Sequence, residues 1–284
     1  MMGTVSERVV FWYGCNAVRH GDIIHSAIAL LRAVGIESDP AGGPAYCCGT
    51  AKDGNLAAAA GMAARTVEKF NTSGRDKVVT WCPSCHRHMG TFMGGTNTIN
   101  FEVSHITEML HARRHLLAPL LTHPLNRKVV LHTHSGFHEV DSNPLVADLL
   151  RLIPGLELVV ADYSAPGHMC SALAPIPAAL KDVVRKSVEL CAENGSDTLV
   201  TTFHACQRNL CGLATTDSIK VVNYVILLTA AMGMAPPVDE YAQWKNAGAD
   251  AAIMESIGPE RIAKIGADFF AKQVLPELRK PTEK

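Results

Sequence analysis

Long apolar runs are scarce in this chain of 284 residues. The most apolar one, Val221 to Ala235, holds Asn223 and Tyr224 and stops short of the roughly 20 residues a spanning helix needs. It reads as a buried helix, so no membrane span is expected. A cationic leader followed by an apolar stretch is missing from MMGTVSERVVFWYGC, which argues against an export signal and for a cytoplasmic protein. Basic tracts are missing as well. The 26 basic residues stand against 27 acidic ones, a formal charge of −1, and nothing points to nucleic acid. Neither G-x-G-x-x-G after a strand nor G-x-x-x-x-G-K-[ST] occurs, so no phosphate-cradling fingerprint for a dinucleotide or nucleoside triphosphate is present.

What is there is a globular composition, 48% hydrophobic and 19% charged, in a chain long enough for two ordinary domains. Nine cysteines stand in it. Without an export signal they do not suggest a disulfide framework, because the cytosol keeps thiols reduced. Five fall within the first 85 residues, two of them adjacent. That clustering points to metal ligation or redox chemistry.

The chain also repeats itself. Asp76–Met89 (DKVVTWCPSCHRHM) and Asp197–Leu210 (DTLVTTFHACQRNL) share an Asp, a β-branched run, a Thr and a Cys-bearing turn at an offset of 121 residues. Within a residue, the same displacement relates Val9–Cys15 (VVFWYGC) to Val129–Ser135 (VVLHTHS), and Pro44–Gly49 (PAYCCG) to Pro166–Ser171 (PGHMCS). Three matches in one order make a duplication. Each copy alternates strand and helix. The first shows strands over Arg8–Tyr13 and Lys77–Trp81 and helices over His25–Val34, Asn55–Phe70 and Ile106–Arg113. The second shows strands over Lys128–Leu131, Leu156–Val160 and Thr198–Thr202, helices over Pro144–Leu152 and Ala178–Glu193, and the Val221 helix. The expected fold is α/β: two similar domains, residues 1–120 and 121–235, with mainly parallel sheets. A C-terminal helical tail, 236–284, follows, with one clear helix at about Pro259–Gln273. The cysteine turns then fall at the carboxyl ends of strands, where open α/β sheets place their sites.

In the first copy the cysteines are spaced C-x31-C-C-x33-C-x2-C. The Cys82-Pro83-Ser84-Cys85 turn aims two thiolates at one metal, and Pro83 stiffens it. The adjacent Cys47 and Cys48 suit a multinuclear cluster better than one tetrahedral ion, because neighbouring side chains point apart. The alternatives are structural zinc on four thiolates, a thiol–disulfide switch, or inert core cysteines.

The series Cys15…Cys47-Cys48-Gly49…Cys82-Pro83-Ser84-Cys85 resembles the cysteine-rich, or CCG, domain family. The duplication and length resemble the B-type, duplicated cysteine-rich subunits of heterodisulfide reductase over about residues 8–235. That resemblance implies a noncubane [4Fe-4S] cluster on Cys15, Cys47, Cys48, Cys82 and Cys85. It further implies an oxidoreductase subunit that acts on a disulfide, persulfide or thiol carrier, or relays electrons to one. The implied partners are a flavin subunit together with a ferredoxin-like iron–sulfur subunit. A zinc-stabilised scaffold without chemistry of its own is the alternative, and the fifth thiolate counts against it.

The second copy departs from this pattern. Its aligned positions are Ser135, Met169, Cys170, Phe203 and Cys206, so three thiolates are gone and a second cluster of the same kind is not expected. His132, His134, His168 and His204 lie nearby. With Cys170 and Cys206, they leave two readings: a second site for zinc or iron, or a metal-free pocket, the latter favoured by the lost ligands. His168 and His204 are the candidate catalytic groups, holding the far end of a substrate or supplying protons. His86 and His88, after the CxxC turn, either hydrogen-bond to sulfur or lie at the surface. Cys191 reads as core.

Overall fold

The computed structural model describes residues 7–50, 54–280 and 282; residues 1–6, part of the stretch read for an export signal, lie outside them. Among the described residues, eight strands form two four-stranded sheets with every pairing parallel. In the first, β1 (Glu7–Gly14), β2 (Ile36–Gly42), β3 (Lys77–Thr80) and β4 (Glu102–His105) lie in the order β2-β1-β3-β4. In the second, β5 (Arg127–His132), β6 (Leu156–Val159), β7 (Thr198–Thr201) and β8 (Lys220–Asn223) lie in the order β6-β5-β7-β8. The α/β expectation holds, and so does the likeness of the two halves.

The likeness extends to register and to single hydrogen bonds. Val10 pairs with Val78 and Val130 with Leu199, displacements of 130 − 10 = 120 and 199 − 78 = 121. Thr80 Oγ1 bonds His86 Nδ1 at 2.8 Å, and the equivalent Thr201 hydroxyl donates to Gln207 Oε1 at 3.1 Å. His105 and Asn223 each end the fourth strand of their sheet. Each caps the following helix, accepting from the backbone N–H of Thr107 and Val225 respectively. Each also donates to the carbonyl beyond the third strand, Trp81 at 3.0 Å and Thr202 at 3.2 Å.

The first half carries α1 (Gly21–Ala33), α2 (Leu56–Asn71), α3 (Pro83–His88) and α4 (Ile106–Ala112). The second carries α5 (Ser142–Arg151), α6 (Pro177–Glu193), α7 (His204–Leu210) and α8 (Tyr224–Ala231). Alternation along each strand sends side chains to opposite faces. Val9 and Val129 enter a joint core in which α1 packs on α8 and α4 on α5, through Ile23, Leu30, Leu149 and Leu228. Val10 and Val130 enter the opposite core, covered by Val67 and Phe70 of α2 and Val183 of α6. Cys191 is fully buried there, as its helix position implies.

Three features differ from the sequence reading. Strands β2 and β4 escaped it: β2 reads IESDPAG, and its Pro40 is tolerated because β2 is an edge strand. The Val221 run is not one helix. Val221 and Val222 extend the sheet as β8, and the helix starts at Tyr224 behind the Asn223 cap. The tail holds more than one helix: α9 (Glu240–Asn246), α10 (Asp250–Ile257), α11 (Pro259–Ile265) and α12 (Leu275–Arg279). Gly266, at φ +93°, ends the helix predicted to run through to Gln273. Tyr241, Ile253, Phe270 and Leu278 gather the tail around Cys211. Among the described residues no helix is long and apolar enough to cross a membrane.

Asn223→Ala removes both the α8 cap and the tie to Thr202. It is expected to destabilise the fold by about 1–2 kcal/mol, read as a lower denaturant midpoint at unchanged slope. An unchanged midpoint would mean the cap contributes nothing.

Candidate functional site

The five cysteines of the first half sit on turns at the carboxyl edge of its sheet. Cys15 follows β1, and Cys47 and Cys48 follow the short 3-10 turn Pro44–Tyr46. Cys82 caps α3 and Cys85 lies in its first turn. Their thiols influence one another in series: Cys15 with Cys47, Cys47 with Cys48, Cys48 with Cys85, and Cys85 with Cys82. Four are buried and Cys15 is half-buried. Two glycines let the turns close. At Gly14, φ +82°, a Cβ would stand 3.1 Å from Cys85 Sγ; at Gly49, φ +99°, it would stand 2.6 Å from the Ala59 carbonyl oxygen.

Packed thiols resist ionising together. The bond to Cys47, with burial, pushes Cys15 up, and the bond to Cys47 is the main cause that takes Cys48 to about 12. Bonds to Cys48 and Cys82 push Cys85 well above its usual range. Cys82 moves the other way, because Cys85 and the backbone N–H groups of Cys85 and Ser84 donate to it. Five thiolates here would require positive charge among them, of the kind metal ions could supply. His86 is half-buried with Nδ1 engaged by the Thr80 hydroxyl.

In the second half, four ligand atoms converge. His132 ends β5, His134 follows two residues on, Cys170 opens a 3-10 turn, and Cys206 lies in α7. All four residues are buried, and their ligand atoms lie within 4.8 Å of one another. His134 Nε2 stands 3.1 Å from His132 Nε2, 3.4 Å from Cys170 Sγ and 3.3 Å from Cys206 Sγ. His134 Nδ1 donates to the carbonyls of Pro166 and Gly167 at 3.2 and 3.1 Å, which leaves the Nε2 lone pair facing the sulfurs. Ser187 of α6 meets His132 Nδ1 at 3.4 Å. Burial opposes ionisation of Cys206, but the bond from Cys170 and the imidazoles of His134 and His132 outweigh it and hold that thiol well below its usual range. Two imidazoles and two thiols, all on buried residues, could hold a transition-metal ion, a donor set known from structural sites. Both sequence readings of this region, a second site for zinc or iron and a metal-free pocket, are compatible with these four converging donors.

Between the halves lies a cavity of about 710 Å³. Cys15, Cys48, Cys82 and Cys85 line one side; His168, Met169 and His204 line the other. His132 and His134 stand apart from this cavity with Cys170 and Cys206. His168 Nε2 reaches Ser84 Oγ at 2.7 Å. Trp81 Nε1 donates to His204 Nδ1 at 3.2 Å, so the proton of neutral His204 sits on Nε2, which is buried without a partner. Burial, then His20 and Arg208, hold His204 well below its usual pKa. Trp81, Ser84 and Ser187 escaped the sequence reading. Trp81 and Ser84 had a signal in their places beside the CxxC turn, and Ser187 had none.

Residues 9–90 match the family model of the cysteine-rich domain, CCG. The matched stretch holds all five cysteines of the series and ends short of the second half. No curated protein matches the chain. An aspartate racemase homologue from Pyrococcus horikoshii OT3 is 11% identical, with TM-score 0.36 over 80% of this chain and 100% of its own. An aspartate racemase of Picrophilus torridus is 10% identical, with TM-score 0.35 over 81% and 96%. Allantoin racemase from Pseudomonas fluorescens is 16% identical, with TM-score 0.29 over 81% and 93%. Similarity at this level assigns no activity to the chain.

Replacing Cys206 by Ala is expected to cost the zinc-loaded protein about one equivalent of zinc. Cys191→Ala, on the core face of α6, is expected to cost none. Equal zinc in the two variants, by metal analysis, would remove Cys206 from the ligand set.

Proposed function

We propose that this chain is the iron–sulfur redox subunit of a heterodisulfide reductase-like complex, working on a disulfide, persulfide or thiol-bearing carrier in the cavity between its halves. The observation that carries this reading is the series of five interacting thiols, four of them (Cys15, Cys48, Cys82 and Cys85) lining a cavity that His204, an imidazole with an unpaired Nε2–H, also lines. Cys15, Cys47, Cys48, Cys82 and Cys85 would hold a [4Fe-4S] cluster of noncubane type, which supplies one-electron chemistry and an iron that sulfur can approach. Electrons would come from a flavin subunit through a ferredoxin-like iron–sulfur subunit.

The remaining chemistry belongs to the chain. Reducing a disulfide consumes two electrons and two protons for each pair of thiols released. His204, kept neutral by burial, can donate its Nε2–H to a sulfur in the cavity as negative charge grows there. His168, held by Ser84, can orient the far end of the same substrate. Among the described residues lining the cavity there is Arg19 and no carboxylate, which favours an anionic or neutral carrier. The same cavity would serve a protein that only relays electrons to its substrate.

A second reading, a zinc-stabilised scaffold, is favoured by the closed two-His, two-Cys site. A closed site steadies a fold and leaves no position for substrate. That site explains the second half and leaves the five thiols of the first without a purpose.

Anaerobic protein is expected to hold about four irons with matching sulfide. Cys48→Ser should lose or shrink that complement while Cys191→Ser keeps it, and His204→Ala should lower turnover with iron unchanged. Stoichiometric zinc without sulfide would defeat the redox reading, and about eight irons would defeat the single-cluster assignment.

A further inference from the structure

We infer that a second buried ligand cluster, His20, Asp22 and Asp239, is a binding site for a divalent cation such as Mn²⁺ that ties the C-terminal tail to the first domain. The ligand atoms of the three lie within 4.8 Å of one another. His20 is fully buried, and neither of its ring nitrogens has a hydrogen-bond partner. Natural structures rarely leave an imidazole so; an unpaired buried nitrogen beside two carboxylates is a donor set that a cation completes. Asp22, 5% exposed, sits in the first turn of α1, and Asp239 caps α9 in the tail.

The carboxylate from the tail is already oriented. Asp239 accepts from the Ala242 N–H at 2.9 Å and from Gln207 Nε2 at 2.9 Å. Gln207 is itself held by the Thr201 hydroxyl and the Val221 carbonyl. Partners of this kind fix a ligand's direction and leave its remaining lone pairs for a metal. Tyr241 of α9 packs its ring 5.3 Å from that of His20 and closes the site from the tail side.

Among the described residues, no Lys or Arg forms an ion pair with Asp22 or Asp239; Arg19 pairs with Glu277. Arg19 and Arg208 both donate to Asn16 Oδ1, at 2.7 and 2.6 Å. Burial pushes His20 down to about 4, so the imidazole offers a lone pair rather than a charge. Burial, with Asp239 beside it, pushes Asp22 up to about 7, which is the strain a cation would relieve. A cavity of about 660 Å³, lined by Asp22 and Asp239, supplies a water path and room for further ligands. One imidazole nitrogen with two carboxylates suits Mn²⁺, Fe²⁺ or Zn²⁺. Calcium prefers oxygen alone, and Cu⁺ prefers thiolates. The site is independent of the redox reading, because none of its ligands lines the cysteine cavity.

The test is a Mn²⁺ titration of the full-length anaerobic protein first loaded with zinc to saturate both thiol-bearing sites, the five cysteines and the His132, His134, Cys170 and Cys206 group, with unbound zinc removed. Loss of the free-Mn²⁺ EPR signal is expected to report about one bound ion per chain, and pulsed EPR a nitrogen coupling from His20. Asp22→Asn or Asp239→Asn should weaken binding by about tenfold or more, with circular dichroism and zinc content unchanged. No bound Mn²⁺, a bound ion without nitrogen coupling, or equal affinity in folded variants would each overturn the inference. Should the variants fail to fold, the nitrogen coupling in the unsubstituted protein decides alone.

Discussion

A parallel sheet has two faces to keep from water, and this chain has two such sheets of only four strands each. One face of each is covered by that half's own long helix, α2 or α6. The other is covered only in the pair, where α1 lies on α8 and α4 on α5. Neither half can bury that face alone, so the relative placement of the two carboxyl edges follows from the packing of the joint core. Trp81 and Tyr224 show how direct the link is. Their rings stack across the join at 6.0 Å and 2°, and the same indole N–H sets the tautomer of His204. The cavity between thiols and imidazoles is thus held by apolar packing, and a change in the core would alter its geometry before it altered its chemistry.

Much of this was legible in the sequence, for reasons that differ by residue. The central strands β1, β3, β5 and β7 announce themselves as β-branched runs, and the cysteines by spacing. The edge strand β2 does not: IESDPAG carries a proline and two acids because one side of it faces water. The Val221 run defeated a reading by hydropathy because a buried strand and a buried helix are both continuously apolar, and the cue, Asn223, is a single residue. In the sites, His132 and His134 were visible as a pair beside lost ligand positions. What fixes them, two backbone carbonyls and Ser187, is tertiary and has no pattern in the chain. Asp22 and Asp239 stand 239 − 22 = 217 residues apart, and only the folded tail brings them together.

The two halves also show how one scaffold accommodates two donor sets. By the repeat, Gly14 corresponds to His134 and Cys85 to Cys206. In the first half any side chain at Gly14 would meet Cys85 Sγ at 3.1 Å, so glycine is what lets five thiols close up. In the second half the imidazole of His134 enters that space, and its Nε2 stands 3.3 Å from Cys206 Sγ. The substitution does two things at once. It brings an imidazole nitrogen beside Cys170 and Cys206, the thiols that remain where Ser135, Met169 and Phe203 replace the others, and it fills room that the first half leaves open beside Cys85. Trp12 and His132 are related in the same way: the indole of Trp12 donates to the Tyr46 carbonyl, whereas His132 turns a nitrogen toward Cys170 at 3.3 Å. The second half is therefore not simply the first with ligands removed. Its lost thiolates and its gained imidazoles occupy one another's room, so restoring a single cysteine there would not restore the first half's site while His134 remains.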